Sequence, residues 1–375
     1  MRKVLIITLA PLLLAIATPT SADAALPAPG TVTKSAVLTL PSDLATRGTA
    51  KRIEYVTTDL HGTRITATGL ILTPKGTPKK KVVAWAHGTT GIADACAPSQ
   101  NREVFWPEAR QAVLALLRKG YTVAAPDYPG LGTAGPHPYL VGDSEARSII
   151  DSVRAARYLD GSLSKSYAVD GHSQGGQGAL FTGELAPSYD GDLTLKTVVA
   201  IAPASNFRTL AALIPGTPGQ GYLVMGVFGL AAVDPTVHPA ELFAPPAKEP
   251  ARMATLQNGC LYEVLEAFDD LTAPDKDDIT DPEDLLVDGA LPAAVVNKLV
   301  ATGDPARRPS SAPILVIQGE YDEAVPAFIT DMLVEQLQRR GNAPVTYEVL
   351  PGETHDGAVF ATTERVATWI ETKLG

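Results

Sequence analysis

The sequence is poor in the residues that metal and redox sites need: two cysteines, Cys96 and Cys260, and six histidines in 375 residues. The histidines are dispersed, and neither His-Glu-x-x-His nor Cys-x-x-Cys occurs, so no metal or cofactor is expected. No Gly-Lys-Ser/Thr closes a phosphate loop. Basic side chains are also few, 31 Lys and Arg against 41 Asp and Glu for a net charge of −10. Without a basic stripe, that balance excludes nucleic acid as a partner. After residue 17 no apolar run is long enough to span a bilayer, and the nearest, Tyr222 to Val233, reads as a buried or interfacial helix.

What is present points to a compact, exported protein. Hydrophobic residues make up 45% and charged ones 19%, and 31 prolines beside 32 glycines imply ordered loops. The N-terminus places Arg2 and Lys3 before an apolar run, Val4 to Ala17, followed by Ala22-Asp23-Ala24. This predicts a secretory signal peptide over residues 1–24, cleaved after Ala24, and a secreted, extracellular product. No cysteine follows closely enough to carry a lipid anchor. In an oxidising destination, a Cys96 to Cys260 disulfide is favoured over two thiols.

Along the mature chain, Arg52 to Thr58 and Thr63 to Thr73 read as an antiparallel hairpin at a sheet edge, turning at Asp59-Leu60-His61-Gly62. From Val82 onward short apolar strands alternate with helical patterns: Val82 to Ala86, a helix from Glu103 to Lys119, Tyr121 to Ala125, a helix from Ser144 to Leu159, Tyr167 to Asp170, and Leu195 to Ala202. Such alternation predicts an α/β fold with a mainly parallel sheet covered on both faces. The rhythm stops at Pro203 and resumes with Ile314 to Ile317, a helix from Ala327 to Arg340, and Val345 to Leu350. We therefore expect a core in two parts, residues 25–202 and 310–375, split by a mostly helical cap insertion over 203–309. The acidic run around Asp275, Asp277 and Asp278 lacks a calcium-loop pattern and reads as a solvated face.

The chemistry-bearing stretch is Gly171-His172-Ser173-Gln174-Gly175, between an apolar run and a helix-compatible one. Strand, sharp turn and helix would hold Ser173 as a nucleophile. A serine hydroxyl needs a base and an orienting carboxylate. His355, after the last strand, is the candidate base, and Asp322, in Gly319-Glu320-Tyr321-Asp322-Glu323-Ala324-Val325-Pro326, the candidate acid, with Glu320 the runner-up. The oxyanion hole would use the backbone N–H groups of Gln174 and Thr89, the latter in His87-Gly88-Thr89-Thr90-Gly91. His87 reads as a brace of that loop, and His172 as structural or a pocket wall.

These residues, with Cys96-Ala97-Pro98-Ser99, Asp127-Tyr128-x-Gly130-Leu131-Gly132 and Pro138-Tyr139-Leu140, make the chain resemble the α/β-hydrolases, and more narrowly the secretory lipases of the lipase A type. The resemblance implies an α/β-hydrolase fold and an extracellular carboxylic ester hydrolase cleaving acyl esters, acylglycerols among them, with Ser173, Asp322 and His355 as its triad. It makes the 203–309 insertion a lid, tied by the Cys96 to Cys260 bridge to the oxyanion-loop side of the core. Some members of that family carry an acidic residue in the oxyanion loop, where this chain has Thr and Gly. The expected partner is a small or lipid ester, with transient contact between the cap and a lipid interface. The alternatives are an acyltransferase or prolyl-type peptidase on the same triad, and a non-catalytic binding protein of the same fold. Leu223, Val224, Val227, Phe228 and Leu230 are candidates either for an acyl pocket or for packing of a cap helix.

Overall fold

A computed structural model describes residues 26–101, 107–269, 271, 280–341 and 343–375. The expected signal peptide, the start of the helix expected from Glu103, and Asp275, Asp277 and Asp278 lie outside the described residues. Strands β1 (Val32–Leu38), β2 (Gly48–Thr58) and β3 (Arg64–Pro74) pair antiparallel, with the single-turn helix α1 (Ser42–Ala45) between the first two. The expected hairpin is β2 and β3, but β1 adds itself outside β2 and takes the edge. Its apolar residues are Val32, Ala36, Val37 and Leu38, and all of its side chains are exposed or half-buried, so it carries little core signal.

The alternating part follows: β4 (Val82–Ala86), α2 (Pro107–Arg118), β5 (Thr122–Pro126), α3 (Gly142–Leu159), β6 (Ser166–His172), α4 (Gln174–Tyr189) and β7 (Thr194–Ile201). Among the described residues seven α-helices come next: α5 (Phe207–Leu213), α6 (Gln220–Ala231), α7 (Pro239–Leu242), α8 (Pro250–Asn258), α9 (Leu261–Asp269), α10 (Pro282–Leu285) and α11 (Ala293–Gly303). The chain then returns to the sheet with β8 (Ile314–Gly319), α12 (Ala327–Arg340), β9 (Val345–Leu350), α13 (Gly357–Phe360) and α14 (Thr363–Leu374).

In space the strands run β1-β2-β3-β5-β4-β6-β7-β8-β9, parallel from β5 to β9. All five residues of β4 are buried, as a strand covered on both faces requires. Its side chains alternate between two apolar layers. Val82, Ala84 and Ala86 join the layer under α3, α4 and α12, whereas Val83 and Trp85 join the one under α2 and α14. From β4 the chain goes to β5 on one side, then crosses to β6 on the other, which opens a crevice at the C-terminal ends of β4 and β6.

The helices from α5 to α11 form a third apolar cluster around Val224, Val227, Leu256, Val264 and Phe268. That cluster takes in Tyr139, Val325 and Ile329, from the segments that follow β5 and β8, so the helical segment rests on the C-terminal side of the sheet. The Cys96–Cys260 disulfide, with its Cα atoms 5.4 Å apart, fastens that segment to the loop after β4. Beside it the Leu261 N–H donates to the Thr90 carbonyl at 2.9 Å. Closing a 164-residue separation is worth about 5 kcal/mol in the chain-entropy account.

Candidate active site

Ser173 is the hinge between β6 and α4, at φ 58° and ψ −117°. A side chain rarely adopts that left-handed backbone, which costs about 1–3 kcal/mol and persists only where the surroundings over-determine it. Here they do. The Ser173 N–H donates to the Ile201 carbonyl at 2.9 Å, and its own carbonyl accepts from Gln177 N–H at 3.0 Å and Ala204 N–H at 3.3 Å. Two residues on, a Cβ on Gly175 would lie 1.9 Å from the Ala86 carbonyl oxygen, so only glycine lets α4 start against the end of β4.

The candidate base and acid come from neighbouring strand ends. A Cβ on Gly319 would lie 2.5 Å from the Thr354 carbonyl oxygen, so glycine at the end of β8 lets the loop after β9 close in. The Tyr321 N–H then donates to the Glu353 carbonyl at 2.9 Å. This juxtaposition brings His355 Nδ1 to 2.7 Å from Asp322 Oδ2. Asp322 is buried and saturated: Oδ2 also accepts from Gln318 Nε2 at 2.8 Å, and Oδ1 accepts the N–H groups of Ala324 and Val325 at 2.9 and 2.7 Å. The runner-up acid, Glu320, instead accepts the Gly352 N–H at 2.9 Å and does not meet His355.

Because a carboxylate can only accept, His355 carries its proton on Nδ1 and leaves Nε2 bare when neutral. Burial would depress this imidazole, but the hydrogen bond and charge of Asp322, with Asp356 and Glu323 behind it, hold it above its ordinary value. His172 behaves in the opposite way. Burial and the neighbouring His355 drive its pKa well below the usual range, while its Nε2 lies 3.3 Å from the His355 carbonyl. The rings sit 4.5 Å apart, so neutral His172 supports the His355 ring from beneath. His172, His355 and Asp356 bring potential ligand atoms within 4.8 Å of one another. One nitrogen of each ring is committed, His172 Nε2 to the His355 carbonyl and His355 Nδ1 to Asp322.

The two expected oxyanion donors flank the serine. Gln174 begins α4, so its N–H has no acceptor within the helix. Among the described residues no hydrogen bond occupies the Thr89 N–H, whose loop is braced from behind. His87 Nδ1 donates to the Gly88 carbonyl at 2.6 Å, its ring stacks on Tyr128 at 4.4 Å, and the Tyr128 hydroxyl donates to the His87 carbonyl at 3.0 Å.

Ser173 and Thr89 stand at the meeting of two cavities. One, about 60 Å³, is apolar and lined by Leu140, Phe207, Leu210, Ile214, Leu223 and Leu299 among others. The second, about 540 Å³, also holds His355 and His172, and is edged by Glu108, Glu323 and Asp356. Burial pushes Glu108 up to about 7, with the charge of Asp356 acting the same way.

A family model of secretory lipases matches residues 108–375. The chain belongs to the secretory lipase family. Ser173, Gln174, Asp322 and His355 fall inside the matched span, whereas Thr89 and Cys96 precede it. Among curated secretory lipases, the chain is similar to the secreted triacylglycerol lipase LIP4 of Malassezia globosa, 27% identical over 73% of this chain and 60% of that protein. LIP2 of the same organism is 26% identical over 73% of this chain and 61% of its own length. The chain thus spans about three fifths of the length of the curated relatives it matches. Two solved structures share the α/β-hydrolase fold. Candida antarctica lipase A in its closed state has a TM-score of 0.74 at 18% identity, covering 92% of this chain and 82% of that one. The rice cell wall degrading esterase LipA from Xanthomonas oryzae has a TM-score of 0.73 at 24% identity, covering 93% and 99%.

Some site residues were not legible beforehand. Of the five apolar α6 candidates only Leu223 lines the apolar cavity, while Val224, Val227 and Leu230 are packed in the helical cluster. Phe228 stacks on Phe243 with ring centroids 6.1 Å apart. Part of the cavity wall, Phe207, Leu210 and Ala211, comes from α5, a seven-residue helix too short to show periodicity. Gln318, which donates to Asp322, gave no signal because it sits near the end of an ordinary apolar strand.

Proposed function

We propose that this protein is a secreted serine carboxylic ester hydrolase, a lipase or esterase that cleaves acyl esters through a covalent acyl-enzyme. The observation that carries the reading is the ordered pair His355 Nδ1 and Asp322 Oδ2 at 2.7 Å, on the same crevice as a serine in a strained elbow. His355 Nε2 takes the Ser173 proton as Oγ attacks the ester carbonyl, and Asp322 stabilises the imidazolium that forms. The N–H groups of Gln174 and Thr89 receive the oxyanion, each such donor being worth about 3–4 kcal/mol in the transition state. His355 then protonates the leaving alcohol, and water activated by the same nitrogen releases the acid.

The acyl group enters the small apolar cavity, which has room for a short chain in this conformation, and the alcohol occupies the wider crevice. The helical segment acts as the cap, residues 203–309, whose movement admits longer chains and meets a lipid surface. Secretion is supported by the N-terminal pattern and by relatives named as secreted lipases. Among the described residues no helix is long and apolar enough to cross a membrane.

Hydrolysis of p-nitrophenyl esters from acetate to palmitate tests this reading, with Ser173→Ala as the control. Turnover that falls at least about 10⁴-fold in the variant is expected. Full activity in Ser173→Ala, or peptide cleavage without ester cleavage, would overturn it.

A further inference from the structure

Beneath the oxyanion hole lies a buried carboxyl that the mechanism above does not use. Glu145, on α3, is fully buried and makes no ion pair among the described residues. Its Oε1 lies 2.9 Å from the side-chain Nε2 of Gln174, the residue whose backbone N–H faces the oxyanion. The same Nε2 lies 3.2 Å from His137 Nε2. His137 Nδ1 is 2.8 Å from the Pro129 carbonyl, which can only accept, so the proton sits on Nδ1 and the bare Nε2 accepts from Gln174. Both amide hydrogens of Gln174 are therefore committed, one to Glu145 and one to His137.

Glu145 Oε1 has a second donor, the Leu140 N–H at 3.2 Å. Leu140 is a non-glycine residue at φ 60°, and it lines the apolar cavity. Adjoining it, the Tyr139 hydroxyl meets Thr89 Oγ1 at 2.7 Å, in the residue that carries the other oxyanion N–H. One carboxyl oxygen thus connects Gln174 directly, and Thr89 through the Tyr139-Leu140 backbone.

We infer that Glu145 is the positioning residue of the oxyanion hole, fixing the Gln174 side chain and the Leu140 backbone so that both oxyanion donors hold their places. The inference rests on the ester hydrolase reading. The group acts in its neutral form: burial pushes its carboxyl up to about 8, outweighing the Gln174 and Leu140 hydrogen bonds, so it keeps its proton at neutral pH. The titratable groups that face it stay uncharged there. Burial holds His137 near 3, and it lifts Tyr128 and Tyr139 far above the ordinary phenol range, with the Glu145 charge adding to the effect on both. From α4, Glu145 is faced by the Gln174 amide and by Gly178, neither of them titratable. Ionised Glu145 would place a negative charge under a developing oxyanion and slow the chemical step.

The test uses the full mature chain and p-nitrophenyl acetate across pH 5–10, with Glu145→Ala and Glu145→Gln compared to the wild type. Glu145→Ala is expected to lower kcat about 10- to 100-fold with KM changed less than about threefold, because orphaned Gln174 and Leu140 donors shift the hole rather than the substrate pocket. Glu145→Gln keeps an acceptor at Oε1 without a proton to lose, so kcat near pH 7 returns to within about threefold of wild type. The wild-type alkaline fall near pH 8 disappears in that variant. An unchanged kcat in Glu145→Ala, an effect confined to KM, or an alkaline limb that persists in Glu145→Gln would overturn the assignment while leaving the hydrolase reading intact. Absence of ester hydrolysis in the wild type would overturn both. Should Glu145→Ala fail to fold, as judged by circular dichroism, the Glu145→Gln pH profile alone decides.

Discussion

On the sheet side of Ser173, Asp322 accepts four hydrogen bonds, His355 is held by one of them, and the serine backbone is pinned by three more. On the helical side, the same serine faces Leu210, Ile214, Leu223 and Leu299, apolar side chains whose positions are set by packing alone. The first region fixes atoms to within hydrogen-bond tolerances, as proton transfer and oxyanion stabilisation demand. The second fixes only a volume, as discrimination between acyl chains demands. On the proposed mechanism, chemistry and selectivity are carried by two structural systems that meet at Ser173 and Thr89, and perturbing either should leave the other recognisable.

The sharpest break of that separation lies on the sheet side. Asp322→Asn is expected to lower kcat/KM by about 10³ to 10⁴, because it removes the charge that orients and supports His355. The pH profile supplies the sign. On the proposed mechanism catalysis needs neutral His355, whose pKa is held above 6.5, so the wild-type rate is expected to fall as pH drops through a value above 6.5. Without the Asp322 charge the imidazole loses its main support, and the acid limb moves to lower pH. Chain-length preference should stay unchanged, as a rate comparison of acetate and octanoate esters would show.

A smaller effect is expected where the two regions are fastened. Replacing both Cys96 and Cys260 with serine removes the clamp between the loop after β4 and α9, and should reduce stability by about 2–5 kcal/mol in thermal or denaturant unfolding. Because Leu261 N–H still reaches the Thr90 carbonyl, the activity that survives below the new transition should keep its substrate preference.

The smallest effect comes from the helical side. Gly226 lines the apolar cavity, and a Cβ there would meet no atom within 4 Å. Gly226→Leu should fill that space, lowering kcat/KM for octanoate esters about tenfold while leaving acetate hydrolysis within about twofold. Equal losses on both esters would show that the cavity wall acts on the chemistry as well.

The same division explains which parts could be read from the sequence. The strand and helix rhythm from Val82 to Ala202, and its return at Ile314, follow from buried strands with both faces apolar. Ser173, Asp322 and His355 stand out because each sits just past a strand, the first two beside glycines, Gly175 and Gly319, that permit close backbone approach. Apolar cap residues carry no such mark. Val224 and Leu223 look alike in the sequence, yet only the second faces the cavity, since that depends on how short helices pack. Glu145 was equally hidden, one of three acids on an amphipathic helix, its burial appearing only once α3 meets α4.

The central claim is that Ser173 is the nucleophile, and the most direct test is covalent. Incubation with a p-nitrophenyl alkylphosphonate, followed by intact-mass analysis and peptide mapping, should give one adduct per chain, on Ser173, with ester hydrolysis lost in proportion to labelling. Modification of another residue, or full hydrolysis by fully labelled protein, would contradict the account.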